Sequence, residues 1–254
     1  MRAIAVQSGS NGNCVYVEAG SHRLLVDAGI SGRRVQQRLC EADCDVRKVD
    51  GVFISHDHSD HIAAAGIYQR KFHLPVYVTE KTYHSGEERY GLGPMRDVRH
   101  FAAGETVQLN GVHVETIPTP HDAVDGVGFV IDDGEKRLGV LTDLGHVFTG
   151  LADIVASLDA VILESNHDPT MLAWGPYPPM LKRRIAGPGG HLSNIEAAEL
   201  LAHAKSRLKW ACLAHLSEEN NQPDLAVETH RSIVGDGLPI HVASRYETVG
   251  PFEV

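Results

Sequence analysis

Ser55-His56-Asp57-His58-Ser59-Asp60-His61 gathers imidazoles and carboxylates into one short stretch. Imidazole nitrogen and carboxylate oxygen are preferred ligands of zinc and related divalent ions. His56 and His58 alternate, so on an extended loop both rings converge on one ion. Asp60 and His61 fall at the turn into a helix and can face a second ion. The setting argues against a chance cluster. The apolar run Asp50–Ser55 reads as a buried strand leading in. Apolar residues at helical spacing between Asp60 and Phe72 lead out.

H-x-H-x-D-H after a strand resembles the signature of the metallo-β-lactamase superfamily. Further pieces stand in order between Val6 and Ala243. Val26-Asp27-Ala28-Gly29 resembles the family's early Asp, which supports the metal loop. His121 in Pro120-His121-Asp122 matches the third histidine, Asp143 in Leu141-Thr142-Asp143 the bridging carboxylate, and His215 in Ala214-His215-Leu216 the last histidine. The resemblance implies one ion on His56, His58 and His121, a second on Asp60, His61 and His215, and Asp143 between them. With no cysteine among the ligands, Zn, Mn and Fe stay open. Two ions about 3.5–4 Å apart share a hydroxide nucleophile and clamp the attacking and leaving oxygens, which suits phosphodiester cleavage.

Three further stretches narrow the resemblance: Ser8–Cys14, Leu163–Asp168 and Gly189–Asn194. Together they resemble the YycJ-like (WalJ-type) branch, similar to the catalytic cores of ribonuclease J and the tRNA 3′-processing endonuclease. That branch implies a 5′-to-3′ DNA exonuclease. His191 then matches the histidine at the scissile phosphate, able to donate a hydrogen bond or a proton. The catalytic set is therefore His191 and Asp60, with Glu164 orienting a ligand or proton donor. His167 and Asp168 support that loop, and Ser193 or Asn194 caps the following helix. Ser8–Cys14 either offers backbone N–H groups to phosphate or makes a tight turn. His146 either reaches the site or stays outside it.

Strands and hairpins must position these residues. Cys14–Ala19 and Arg23–Val26 flank Gly20-Ser21; Glu105–Leu109 and Val112–Ile117 flank Asn110-Gly111, a strong hairpin signal. Gly126–Ile131 and Lys136–Thr142 flank Asp132-Asp133-Gly134, a further hairpin. Strands are also expected at Pro75–Val78, Ala160–Leu163, Leu208–Ala214 and Pro239–Ala243. Helices are expected at Ile30–Leu39, with Ser31 as N-cap, and at Met180–Ile185, Asn194–Ser206 and Asp224–Val234. Trp174–Gly190, rich in Pro and Gly, reads as a long functional loop. Two sheets sandwiched by helices, taken with the resemblance, predict an α/β four-layer αββα sandwich, as a single domain over 1–254.

Composition excludes other classes. The chain has 254 residues, of which 43% are hydrophobic and 22% charged, which excludes a disordered or collagen-like chain. No apolar run reaches the roughly 18 residues of a membrane span, and the N-terminus turns polar too early for a signal peptide. A cytoplasmic protein without membrane contact is expected, with Cys14, Cys40, Cys44 and Cys212 as packed, reduced thiols. Net charge is −10. An acidic balance disfavours a broad basic coat and favours a confined, metal-centred contact with nucleic acid. Lys182-Arg183-Arg184, Arg33-Arg34 and Lys205, Arg207 and Lys209 are either phosphate contacts or solvated helix faces. Trp174 and Tyr177 either stack on a base or pack inside.

The leading reading is a metal-dependent nuclease, with DNA favoured over RNA. A cyclic-phosphate phosphodiesterase fits the acidic surface, and a non-catalytic metal-binding module is the remaining reading. No feature of the sequence sets an oligomeric state. Of the 16 histidines, His191 and the five ligand histidines have assigned tasks.

Overall fold

In the computed structural model, which describes residues 1–205 and 207–254, the strands are β1 (Arg2–Gln7), β2 (Cys14–Ala19), β3 (His22–Val26), β4 (Gly51–Phe53), β5 (Val76–Val78), β6 (Val98–His100), β7 (Thr106–Leu109), β8 (Val112–Pro118), β9 (Val127–Asp132), β10 (Arg137–Leu141), β11 (Ala160–Glu164), β12 (Trp210–Ala214), β13 (Ile240–Val242) and β14 (Val249–Glu253). The helices are α1 (Gly32–Glu41), α2 (Ser59–Ile62), α3 (Ala65–Phe72), α4 (Glu80–Tyr90), α5 (Leu151–Ala156), α6 (Pro169–Trp174), α7 (Pro179–Ile185), α8 (Asn194–Ala204) and α9 (Pro223–Val234). This is an α/β fold of mixed sheets and helices. The chain divides into two compact units.

The first unit comprises Met1–Pro118, Ala123–Glu135 and Ser244–Glu253. Its main sheet runs β14-β1-β2-β3-β4-β5-β6. Pairing is antiparallel from β14 to β3 and parallel from β3 to β6. Strands β7, β8 and β9 form an antiparallel meander, turned between β7 and β8 at Gly111 with φ 80°. Ile4, Val6, Tyr16, Leu25 and Val52 of the sheet, with Ile54 just after β4, share one apolar core with Val35, Leu39, Tyr68 and Phe72. Ser31 caps α1, its hydroxyl accepting from Arg34 N at 3.3 Å.

The single helix expected between Asp60 and Phe72 is instead two, α2 and α3. Asp60 O accepts from Asn13 N at 2.7 Å in place of Ala64 N. Ala64 N turns to Ala28 O at 2.9 Å, and the helix restarts at Ala65. The ladder thus breaks where a neighbouring strand end competes for its acceptor.

The second unit comprises Thr119–Asp122, Lys136–Ala243 and Val254. Parallel strands β10-β11-β12-β13 lie in that order, buried almost throughout up to β12. Helix α8 packs on α5 and α9. Ser193 caps α8 in a box with Glu196, as expected of that position. The helix expected over Asn194–Ser206 is present to Ala204; Ser206 lies outside the described residues. The stretch Trp174–Gly190 is less of a loop than its composition suggests, because it holds α7. Cys14, Cys44 and Cys212 are buried, but Cys40 is exposed on α1 instead of packed. Among the described residues no helix is long and apolar enough to cross a membrane.

Candidate metal centre

In the first unit the metal motif fills the turn between β4 and α2. His56 and His61 are buried, and their rings lie 4.0 Å apart, centroid to centroid. His56 Nε2 and His58 Nδ1 face each other at 3.1 Å. The His56 and His61 rings are each held through Nδ1. His56 Nδ1 meets Ser55 Oγ at 2.9 Å. His61 Nδ1 donates to Asp27 Oδ2 at 2.7 Å, which turns Nε2 to the side where an ion could be held. Asp27 Oδ1 accepts from Ser55 N at 2.8 Å, so one carboxylate fixes both ends of the motif. Asp27 does this from a left-handed conformation, φ 66°.

Asp60 is held from the Ser8–Cys14 loop. The Asn13 amide donates to Asp60 Oδ2 at 3.2 Å and lies 2.9 Å from His61 Nε2. The N–H groups of Gly9, Gly12 and Asn13 all bond within the protein, so this part of the loop braces Asp60. Gly29 makes the approach possible: a Cβ there would stand 1.7 Å from Asp60 O and 2.6 Å from Asn13 N.

Asp57 takes no part in ligation. It is buried and accepts from Ser85 Oγ at 2.6 Å, Arg89 at 2.8 Å and Val124 N at 3.0 Å. Burial alone would raise its pKa; these donors and His58 outweigh that and lower it. Asp57 therefore ties the motif to α4.

In the second unit the site residues cluster at the carboxyl ends of the parallel strands, where open α/β sheets usually place ligands. Asp143 follows β10, Glu164 ends β11 and His215 follows β12. Asp143 and His215 both have positive φ, 59° and 55°, a strain typical of functional sites. His121 Nε2 and His215 Nε2 each lie 3.7 Å from Asp143 Oδ1. His121 Nδ1 donates to Gly190 O at 2.9 Å, again leaving Nε2 inward. Asn166 donates to His215 O at 2.8 Å.

Glu164 is fully buried and saturated. Oε2 accepts from Leu144 N at 2.8 Å and Leu192 N at 3.1 Å; Oε1 accepts from His191 Nδ1 at 2.7 Å. Burial pushes its pKa up, but the charge and hydrogen bond of His191 and the bond of His215 pull it down to about 2. His191 Nδ1 is also 3.8 Å from Asp143 Oδ1, and its ring stays partly exposed.

These donor sets fit divalent ions. Donor atoms around a tetrahedral ion with bonds of about 2.1 Å lie roughly 3.4 Å apart. The Asp143 separations to His121 and His215 are longer than hydrogen bonds and close to that spacing. Donor atoms of Asp143, Glu164, His191 and His215 all lie within 4.8 Å of one another. Each unit thus brings its own sequence-predicted residues together: His56, His58, Asp60 and His61 in one, His121, Asp143, Glu164, His191 and His215 in the other. His146 is exposed and bonds Pro188 O at 2.8 Å. His167 is buried in the supporting loop, and Asp168 caps α6 through Met171 N. Sequence reasoning missed Asn13, Ser55, Asn166 and the anchoring role of Asp57.

The family model described as beta-lactamase superfamily domain matches residues 22–215. The chain is 35% identical over 242 residues to exodeoxyribonuclease YycJ of Bacillus anthracis, covering 92% of each. It is 37% identical over 222 residues to exodeoxyribonuclease WalJ of Streptococcus pneumoniae, covering 86% of this chain and 82% of the other. The metallo-beta-lactamase fold protein YhfI of Bacillus subtilis superposes with a TM-score of 0.74 at 17% identity, over 98% of both chains.

Proposed function

Because this chain belongs to the beta-lactamase superfamily and has the metallo-β-lactamase fold, we propose that it is a metal-dependent nuclease, working on DNA as a 5′-to-3′ exonuclease. The observation that carries the reading is the His191–Glu164 pair beside Asp143, in a chain similar along most of its length to proteins named exodeoxyribonuclease. His56, His58 and His121 would hold one divalent ion, Asp60, His61 and His215 a second, with Asp143 shared. Zn or Mn suits this nitrogen and oxygen set, and Fe is compatible with it. Such ions supply Lewis-acid charge and a hydroxide at neutral pH.

The chain's own residues supply the rest. Asp27, Ser55 and Asn13 fix the rings and carboxylate of the first unit, so ligation costs little reorganisation. Glu164 keeps the His191 proton on Nδ1 or shares it there, and turns Nε2 outward. When protonated, Nε2 donates to the phosphate oxygens and then passes its proton to the leaving 3′ oxygen. The two units act as one catalytic domain in this reading, and the setting is the cytoplasm.

The test uses the protein loaded with Mn or Zn, offered end-labelled duplex and single-stranded DNA, RNA, and a chromogenic phosphodiester. Release of mononucleotides from the 5′ end of DNA is expected. Cleavage of the small ester alone would replace the nuclease with a small-molecule phosphodiesterase, the reading that the net charge of −10 favours.

A further inference from the structure

Helix α7 has no buried residue. Met180 is 76% exposed there, and Trp174, at the end of α6, is 87% exposed. Among the described large apolar side chains these two are the most exposed. The alternative that Trp174 packs inside is thereby excluded.

The same segment is basic. The Lys182 ammonium donates to Ala173 O at 2.7 Å, which places it one residue from Trp174. Its other protons remain available. The exposed Arg183 side chain has no hydrogen bond or ion pair among the described residues. Arg184 pairs with Asp122 at 2.5 Å. A flat π-face with positive charge on the neighbouring helix is the combination that suits single-stranded nucleic acid, a base on the ring and phosphates on the charges.

Backbone contacts join this surface to the site. His191 N donates to Ile185 O, the last residue of α7, at 2.9 Å. A Cβ at Gly190 would stand 2.0 Å from Ile185 O, so only glycine allows the helix end to lie against His191. Arg184 reaches the residue after His121. At the other end, Gly175 allows α6 to approach Asn220, whose Oδ1 a Cβ would meet at 2.5 Å.

We propose that α6 and α7 form a platform for a single-stranded nucleic-acid end, with Trp174 stacked on a base and Lys182 and Arg183 on its phosphates. The platform rests on the nuclease reading and adds where the strand is gripped. It would let an acidic chain hold nucleic acid, because Lys182, Arg183 and Arg184 follow one another on one short helix.

The experiment uses the full chain loaded with Mn and a fluorescent oligothymidylate. Trp210 is buried, so the exposed indole that can be quenched on binding is Trp174. Quenching of the wild-type protein is expected, and needs no variant. Trp174→Ala should weaken binding about 5- to 100-fold, and Trp174→Phe should restore most of it. Lys182→Ala with Arg183→Ala should lower the slope of log affinity against log salt by about 1.4. In turnover the loss should fall on KM for the oligonucleotide and not on kcat. If wild type cuts the oligonucleotide while quenching is absent and the variants bind as it does, the platform is wrong and the nuclease reading stands. If wild type neither binds nor cuts it but hydrolyses the small ester, the nuclease reading has failed and the platform with it.

Discussion

His191 donates an Nδ1–H hydrogen bond to Glu164 Oε1 across 2.7 Å, and Glu164 is itself pinned by Leu144 N and Leu192 N. The carboxylate therefore sets both the tautomer and the angle of the imidazole, and a burial cost is offset by the donors that fill it. A glutamine at this position has one acceptor oxygen and cannot serve all these donors. Glu164→Gln should lower kcat on the order of 10- to 100-fold with KM and metal content held. Turnover and elemental analysis of the same preparation check this. Unchanged kcat would show that His191 needs no such partner.

Asp27 does for His61 what Glu164 does for His191, while also holding Ser55 N. In Asp27→Asn the amide faces one of these donors with its own N–H. Metal affinity should fall about 10- to 100-fold. Dialysis followed by metal analysis would show this, and excess metal should restore turnover. Full metal retention at wild-type affinity would remove Asp27 from the site.

His230 on α9 supplies a pH dependence away from the metal residues. It is wholly buried and donates Nδ1–H to Ala226 O at 2.8 Å. Burial, only partly opposed by that bond, lowers its pKa to about 4. Above the ordinary value near 6.5 the ring is neutral folded and unfolded, and its contribution is complete. Between 6.5 and 4 only the unfolded chain takes the proton, so stability falls as pH falls, by roughly 3 kcal/mol in all. Urea unfolding with a chelator present, compared with His230→Leu, should show this loss in wild type only. Parallel curves would contradict it.

The candidate ligand residues are legible because each lies in a short motif at the end of an apolar run: His56 and His58 after β4, Asp143 after β10, His215 after β12. What holds them was not. Asp57 sits in the motif, yet its partners Ser85, Arg89 and Val124 lie far along the chain. Asn13 reads as a turn residue until its amide meets Asp60. Helix α4 escaped because it is mostly polar and carries Gly86; it forms on the Thr79 cap and the pull of Asp57. Strand β14 contains Gly250-Pro251 and reads as a turn, but it is an edge strand beside β1, where proline is tolerated. Exposure of Trp174 is a tertiary property with no local signature.

The central claim is that a metal-dependent phosphodiesterase uses His191 on the reacting phosphate and not as a structural metal ligand. Metal content and DNA turnover of His191→Ala, measured on one preparation, test it most directly. The variant should hold two ions per chain, as in wild type, with kcat lowered about 10²- to 10⁴-fold. Loss of the ions, or turnover equal to wild type with the ions in place, would contradict it.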